Sequence, residues 1–283
     1  MRLPPFARPA GLSPRRRAFL GLIVAIVVVL ATFGGIRLAG SGSAGIASPG
    51  ARGASRPSYV LLVPGYGGST TALAKLAARI TATGRTATVV HLAGNGTGDL
   101  HSQASVLNGY VDQAVKDGSG PVTVIGYSAG GVVAWLWDVD YGGAARTRRF
   151  ITLGSPLHGA QLAAVGEAFA PGECPVACQQ LVPGSSLLAG LQRASAAGRP
   201  PWLSLWTTDD QVVQPPDSAR LAGAVNVPLQ SVCPGYVVSH GQLPTSPLVV
   251  GLVLRSLGSS PLTQPAPSQC RSLEALGSSS PGA

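Results

Sequence analysis

The sequence predicts an α/β fold, a mostly parallel β-sheet flanked by helices, and three observations predict it. Short apolar runs rich in β-branched residues alternate with amphipathic stretches of helical period, as in Tyr59–Val63 followed by 70–81. The run Val122–Ile125 passes into a helix-like segment from Ala129 with only Gly126-Tyr127-Ser128-Ala129-Gly130 between them. That pentapeptide is a Gly-x-Ser-x-Gly turn, which in a strand–turn–helix setting holds its serine strained and exposed above the end of the sheet. Alone it is weak evidence in a chain with 38 glycines; the strand before it and the helix after it make it specific.

The elements follow in order. YVLLV (59–63) reads as a buried strand ending at Pro64-Gly65-Tyr66-Gly67-Gly68. In 70–81, Leu73, Leu76, Ala77 and Ile80 share one helical face. Residues 86–92 are strand-like, the polar loop 93–99 leads to a helix around 103–116, and the Ser128 strand follows. Beyond its helix, RFITL (149–153) runs into GSPLHG, WLSLWT (202–207) ends at Asp209-Asp210, and VPLQSV (227–232) is the last strand predicted. A closing helix fits 247–257. Alternation of this kind implies right-handed crossovers and a parallel sheet. Between the strands at Phe150 and Trp202 lie about fifty residues, more than one crossover helix needs, and this insertion is expected to form a lid or rim over the site.

Three regions are expected: an export signal or signal anchor plus linker over 1–57, a catalytic domain over 58–257, and a Ser/Pro-rich, partly disordered tail over 258–283. The formal net charge of +9 misleads. Eight arginines precede Ser58 and no acidic residue does, whereas from Ser58 onward 12 basic residues face 11 acidic ones. The basicity belongs to the leader, which excludes a case for nucleic-acid binding. Arg15-Arg16-Arg17 precedes the uncharged run Ala18–Ile36. As a helix that run would span about 28 Å, near a bilayer's hydrocarbon thickness, with its positive flank cytoplasmic. The globular part is therefore expected outside the cytoplasm, secreted or anchored by this membrane segment.

Four cysteines in an exported chain imply two disulfides, with Cys174–Cys178 and Cys233–Cys270 the favoured pairing. A metal site is disfavoured, because the four histidines are not spaced with the cysteines as zinc ligands are.

A serine hydroxyl needs a base within hydrogen-bond reach, and the base needs an orienting carboxylate. With the chain order serine, acid, histidine, His91 and His101 fall too early. Of His158 and His240, only His240 has a strand-terminal acid between itself and Ser128. Asp209 and Asp210 both follow a strand and Asp217 lies farther on; Asp210 is the choice, with Asp209 the nearest alternative. The oxyanion would meet the backbone N–H groups of Tyr66 and Ala129.

The series PGYGG, GYSAG, TTDDQVV and VVSHGQL resembles the small secreted bacterial triacylglycerol lipases of the α/β-hydrolase fold, actinobacterial and Bacillus-type, over about 59–257. The resemblance implies a lipase or esterase acting through an acyl-enzyme on small-molecule acyl esters, without a cofactor; the sequence leaves the oligomeric state open, with a monomer the expectation. Its Asp-x-Val-Val pattern points to Asp210 rather than Asp209. The family often has His-Gly where this chain has Pro64-Gly65, and the Cys-bearing insertion exceeds its smallest, lidless members. LGSPLHGA resembles a Gly-x-Pro-x-x-Gly stretch of related lipases, in which His158 would be structural or cleft-lining. The rival readings are an acyltransferase, thioesterase or amidase with the same triad, and a membrane-tethered binding protein on a hydrolase scaffold.

Overall fold

The inner strands of this chain alternate residues between two apolar layers, which requires a sheet covered on both faces. The computed structural model describes residues 58–169, 171–194 and 198–279. Six parallel strands form the sheet: β1 (Tyr59–Val63), β2 (Thr86–Val89), β3 (Val122–Tyr127), β4 (Thr147–Leu153), β5 (Trp202–Trp206) and β6 (Val225–Pro228), in the order β2-β1-β3-β4-β5-β6. One core holds Leu61, Val63, Val122, Val124, Phe150 and Trp202. Helices α2 (Leu100–Lys116) and α3 (Ala129–Tyr141) bury their apolar faces in it. The other core holds the intervening Val60, Leu62, Ile125, Ile151 and Leu203 beneath α1 (Thr71–Thr81) and α8 (Pro247–Ser256).

The insertion between β4 and β5 folds as α4 (Gln161–Phe169), α5 (Val176–Gln180) and α6 (Ser186–Arg193). Both disulfides are formed in the expected pairing, Cys174–Cys178 within the insertion and Cys233–Cys270 across a separation of 37 residues.

The structure departs from the sequence reading in two places. The last strand stops at Pro228, and Leu229–Val232 is a short helix, α7. Pro228 has no N–H to extend a ladder, while Leu229 and Val232, three apart, both reach the core. The segment read as a partly disordered tail carries helix α9 (Cys270–Ser278), packed on α8. Its composition is polar, but Gly251 and Gly277 let the two backbones touch. A β-carbon on Gly277 would fall 1.7 Å from the Pro247 carbonyl oxygen, and one on Gly251 1.9 Å from that of Leu273. The run 18–36, read as a membrane segment, lies outside the described residues; among the described residues no helix is long and apolar enough to cross a membrane.

Candidate active site

In the strand order β2-β1-β3 the crossovers turn in opposite directions on either side of β1. Such a switch point opens a crevice at the carboxyl ends of β1 and β3. Those ends carry Pro64-Gly65-Tyr66 and Ser128. Ser128 has φ 53° and ψ −130°, the one positive φ outside glycine among the described residues. The strain is held by close packing. A β-carbon on Gly130 would lie 2.2 Å from the Val63 carbonyl oxygen, and one on Gly126 2.5 Å from the Gly131 Cα. The Ser128 amide donates to the Leu153 carbonyl at 2.9 Å. Gly65 sits directly against the serine, since a β-carbon there would be 2.8 Å from the Ser128 Cβ.

Asp210 and His240 meet at the same sheet end. His240 Nδ1 lies 2.6 Å from Asp210 Oδ2, and the residues are 6% and 1% exposed. The other oxygen, Asp210 Oδ1, accepts from the backbone amides of Val212 at 2.9 Å and Val213 at 2.8 Å. Every side of the carboxylate is thus met by a donor, as a buried acid requires. Asp209 faces elsewhere and accepts from Gln230 at 3.3 Å. Asp217 is exposed in a 3-10 turn, and His158 is exposed over a separate depression with Asp217 and Arg220. Neither joins the pair. Among the described residues no hydrogen bond links Ser128 Oγ to His240; such bonds are often open in a site without substrate.

Four residues that the sequence reading gave no part at the site shape it. Gly154, the first residue after β4, has φ 54°, and a β-carbon there would meet Leu243 at 2.6 Å and lie 3.2 Å from both Asp210 Oδ2 and His240 Nδ1. The signal was the GSP turn at a strand end. Gln230 clamps the acid-bearing turn: its side chain accepts from the Thr208 amide at 3.0 Å and donates to Thr207 Oγ1 at 3.0 Å and the Tyr236 carbonyl at 2.8 Å. Tyr127 packs against the His240 ring. Burial, with the nearby Asp210 charge, pushes its phenol up to about 12. Gln180 of α5 donates to Asp99 Oδ1 at 2.5 Å and accepts from the Leu100 amide at 2.8 Å. Burial of the Asp99 carboxylate opposes its charge, and hydrogen bonds from Gln180, His101 and Ser102 outweigh it, so its pKa is lowered. The loop that Asp99 ends touches the loop after β1, since a β-carbon on Gly68 would lie 3.1 Å from the Asn95 carbonyl oxygen. No local pattern marks these glutamines.

A cleft of about 190 Å³ opens at Ser128, with Tyr66 and Ala129 in its wall. The insertion supplies Leu162, Ala163 and Leu181, and the segment after Asp210 supplies Val212 and Val213. Leu162 at 59%, Val212 at 41% and Tyr66 at 45% exposure put large apolar groups at the rim.

No protein-family model matches the chain, and no curated protein does. Solved structures do. The Aspergillus fumigatus lipase B structure is similar with a TM-score of 0.63 at 18% identity, over 79% of this chain and 56% of that one. One of the metagenome-derived lipolytic enzymes LipS and LipT gives 0.57 at 17% identity, over 72% of this chain and 95% of that one. The mature Bacillus licheniformis lipase BlEst2 gives 0.53 at 20% identity, over 62% and 83%. The chain therefore spans little more than half of the fungal lipase. At these identities the likeness is one of fold, and the fold is that of the α/β-hydrolases.

Proposed function

We propose that this chain is a serine carboxylic-ester hydrolase of the lipase/esterase type. The observation that carries the reading is the convergence of a strained Ser128, a buried Asp210–His240 pair and an apolar cleft at one sheet end. Ser128 Oγ attacks the ester carbonyl carbon while His240 Nε2 takes its proton. The carbonyl oxygen becomes the oxyanion and is met by the amides of Tyr66 and Ala129. His240 then protonates the departing alcohol, leaving an acyl-Ser128 ester. Water, deprotonated by the same imidazole, releases the carboxylic acid and restores the serine. Asp210 holds Nδ1 protonated, so that Nε2 is the free base, and steadies the imidazolium. Its two backbone donors keep it in place.

The acyl chain lies along Leu162, Leu181, Val212 and Val213, where burying each methylene contributes about 0.8 kcal/mol. Uncharged, lipid-like acyl esters fit such a wall better than charged ones. The two disulfides are compatible with an oxidising compartment outside the cytoplasm, which supports an exported enzyme.

The test is hydrolysis of p-nitrophenyl esters from acetate to palmitate by the full chain, beside Ser128→Ala. Hydrolysis that disappears in the variant supports the reading. A folded protein inert on the whole series, or a Ser128→Ala variant as active as the parent, would falsify it.

A further inference from the structure

A second cavity, of about 320 Å³, opens at the opposite end of the sheet. Arg149, the third residue of β4, lines it, whereas Leu153 at the other end of β4 binds the Ser128 amide. Four residues of strand separate the two by about 13 Å, so this cavity is no part of the cleft. Arg255 lines it too, near the end of α8, and Leu252, Leu262 and Pro261 supply apolar wall.

The charge in this cavity is one-sided. Arg149 is 6% exposed, and among the described residues no carboxylate pairs with either Arg149 or Arg255. Arg149 donates to the carbonyl oxygen of Ser256 and, at 3.5 Å, to that of Ser260, while its Nε has no partner. Arg255 reaches only neutral oxygens, Gln269 at 3.2 Å and Thr263 at 3.4 Å. The ladder between β3 and β4 slips so that Thr147 and Arg149 face consecutive residues of β3, leaving Arg148 as an extra residue beside Arg149. Burial and then the Arg148 charge push the Arg149 pKa down. A buried guanidinium met only by carbonyl oxygens is costly. Capping the carboxyl end of α8 accounts for the Ser256 contact. It does not account for the idle Nε, the second arginine or the space between them.

We propose that this cavity is a binding site for a small organic anion. The guanidinium groups of Arg149 and Arg255 would take the oxygens of a phosphate or carboxylate, and Leu252 and Leu262 a short apolar portion. The proposal stands apart from ester hydrolysis and survives if that reading fails.

The test is thermal unfolding of the full chain titrated with sodium phosphate or hexyl phosphate, against sodium chloride at equal ionic strength. A saturable rise in Tm is expected with at least one probe, with the apparent affinity weakened about tenfold in Arg255→Gln. Arg255 is exposed at the cavity mouth, so this variant keeps its fold, as an unchanged Tm in chloride would report; Leu262→Trp, which fills the cavity, should bind neither probe. Tighter binding of hexyl phosphate than of phosphate supports an organic anion, whereas equal affinity for the two probes overturns the organic portion and leaves free phosphate as the ligand. The proposal is overturned if neither probe gives a saturable rise, or if the rise persists unchanged in Arg255→Gln.

Discussion

The Tyr127 ring lies 5.2 Å from the His240 imidazole, and its hydroxyl donates to the His240 carbonyl oxygen at 3.2 Å. The residue before the serine therefore positions the histidine, so the Ser128 turn and the Asp210–His240 pair are mechanically one unit.

Tyr127→Phe keeps the ring contact and loses the hydrogen bond. The expected result is a several-fold fall in kcat with KM little changed, because orientation of the base matters most in the transition state. Tyr127→Ala should cost more. With its phenol pushed up to about 12, the hydroxyl stays protonated and donating across the working range, so the Tyr127→Phe pH–rate profile should keep the shape of the parent's. A changed profile would show that Tyr127 exchanges protons.

Asp210→Asn should lower kcat about ten-thousandfold, because an amide at that place favours the wrong imidazole tautomer. Asp209→Asn should stay within a few-fold of the parent, since that carboxylate accepts only from Gln230 on its side of the turn. Steady-state rates on one short-chain ester would separate the two, and equal losses would undo the assignment.

Asp138 on α3 is 7% exposed with Oδ1 unpartnered, and burial raises its pKa above the ordinary 3.8 against the opposing pull of Arg199. The folded state then binds more protons than the unfolded one between those two values. Stability falls as pH rises through that window and is not regained above it. Asp138→Asn should be more stable than the parent at neutral pH, with the difference shrinking below about pH 4. Urea unfolding at several pH values would read this directly, and a variant less stable at pH 7 would contradict it.

Gly251→Ala should lower stability by about 1–3 kcal/mol by forcing α9 off α8. Gly241→Ala, with open space around the β-carbon, should not. Thermal unfolding and limited proteolysis beyond residue 257 would show the difference.

Much was legible in the sequence because it was local. The period of the apolar residues marked the strands, the last of them carried too far past Pro228, and the helices beside them, since a strand buried on both faces and an amphipathic helix each write their surroundings into adjacent positions. The Gly-x-Ser-x-Gly turn was legible because its glycines answer to contacts within a few residues, as Gly126 does to Gly131. Chain order, together with an acid at a strand end before it, pointed to His240.

What the tertiary structure decided concerns residues distant in the chain. Asp209 and Asp210 are neighbours of the same chemistry, and only the fold shows that Asp210 turns toward a histidine 30 positions on while Asp209 turns to Gln230. The GSP turn marked Gly154 as a strand end, but nothing local showed that its missing β-carbon makes room for that pair. The tail read as disordered from its composition because its order comes from a backbone contact between Gly277 and Pro247 and a bond from Cys270 to Cys233, neither of which has a local signature. The arginine cavity was likewise unreadable: Arg149 and Arg255 converge only when β4 and α8 are laid side by side. Sequence patterns record what each element buries; which elements meet is settled by packing, where the partner of a residue is set by the whole sheet.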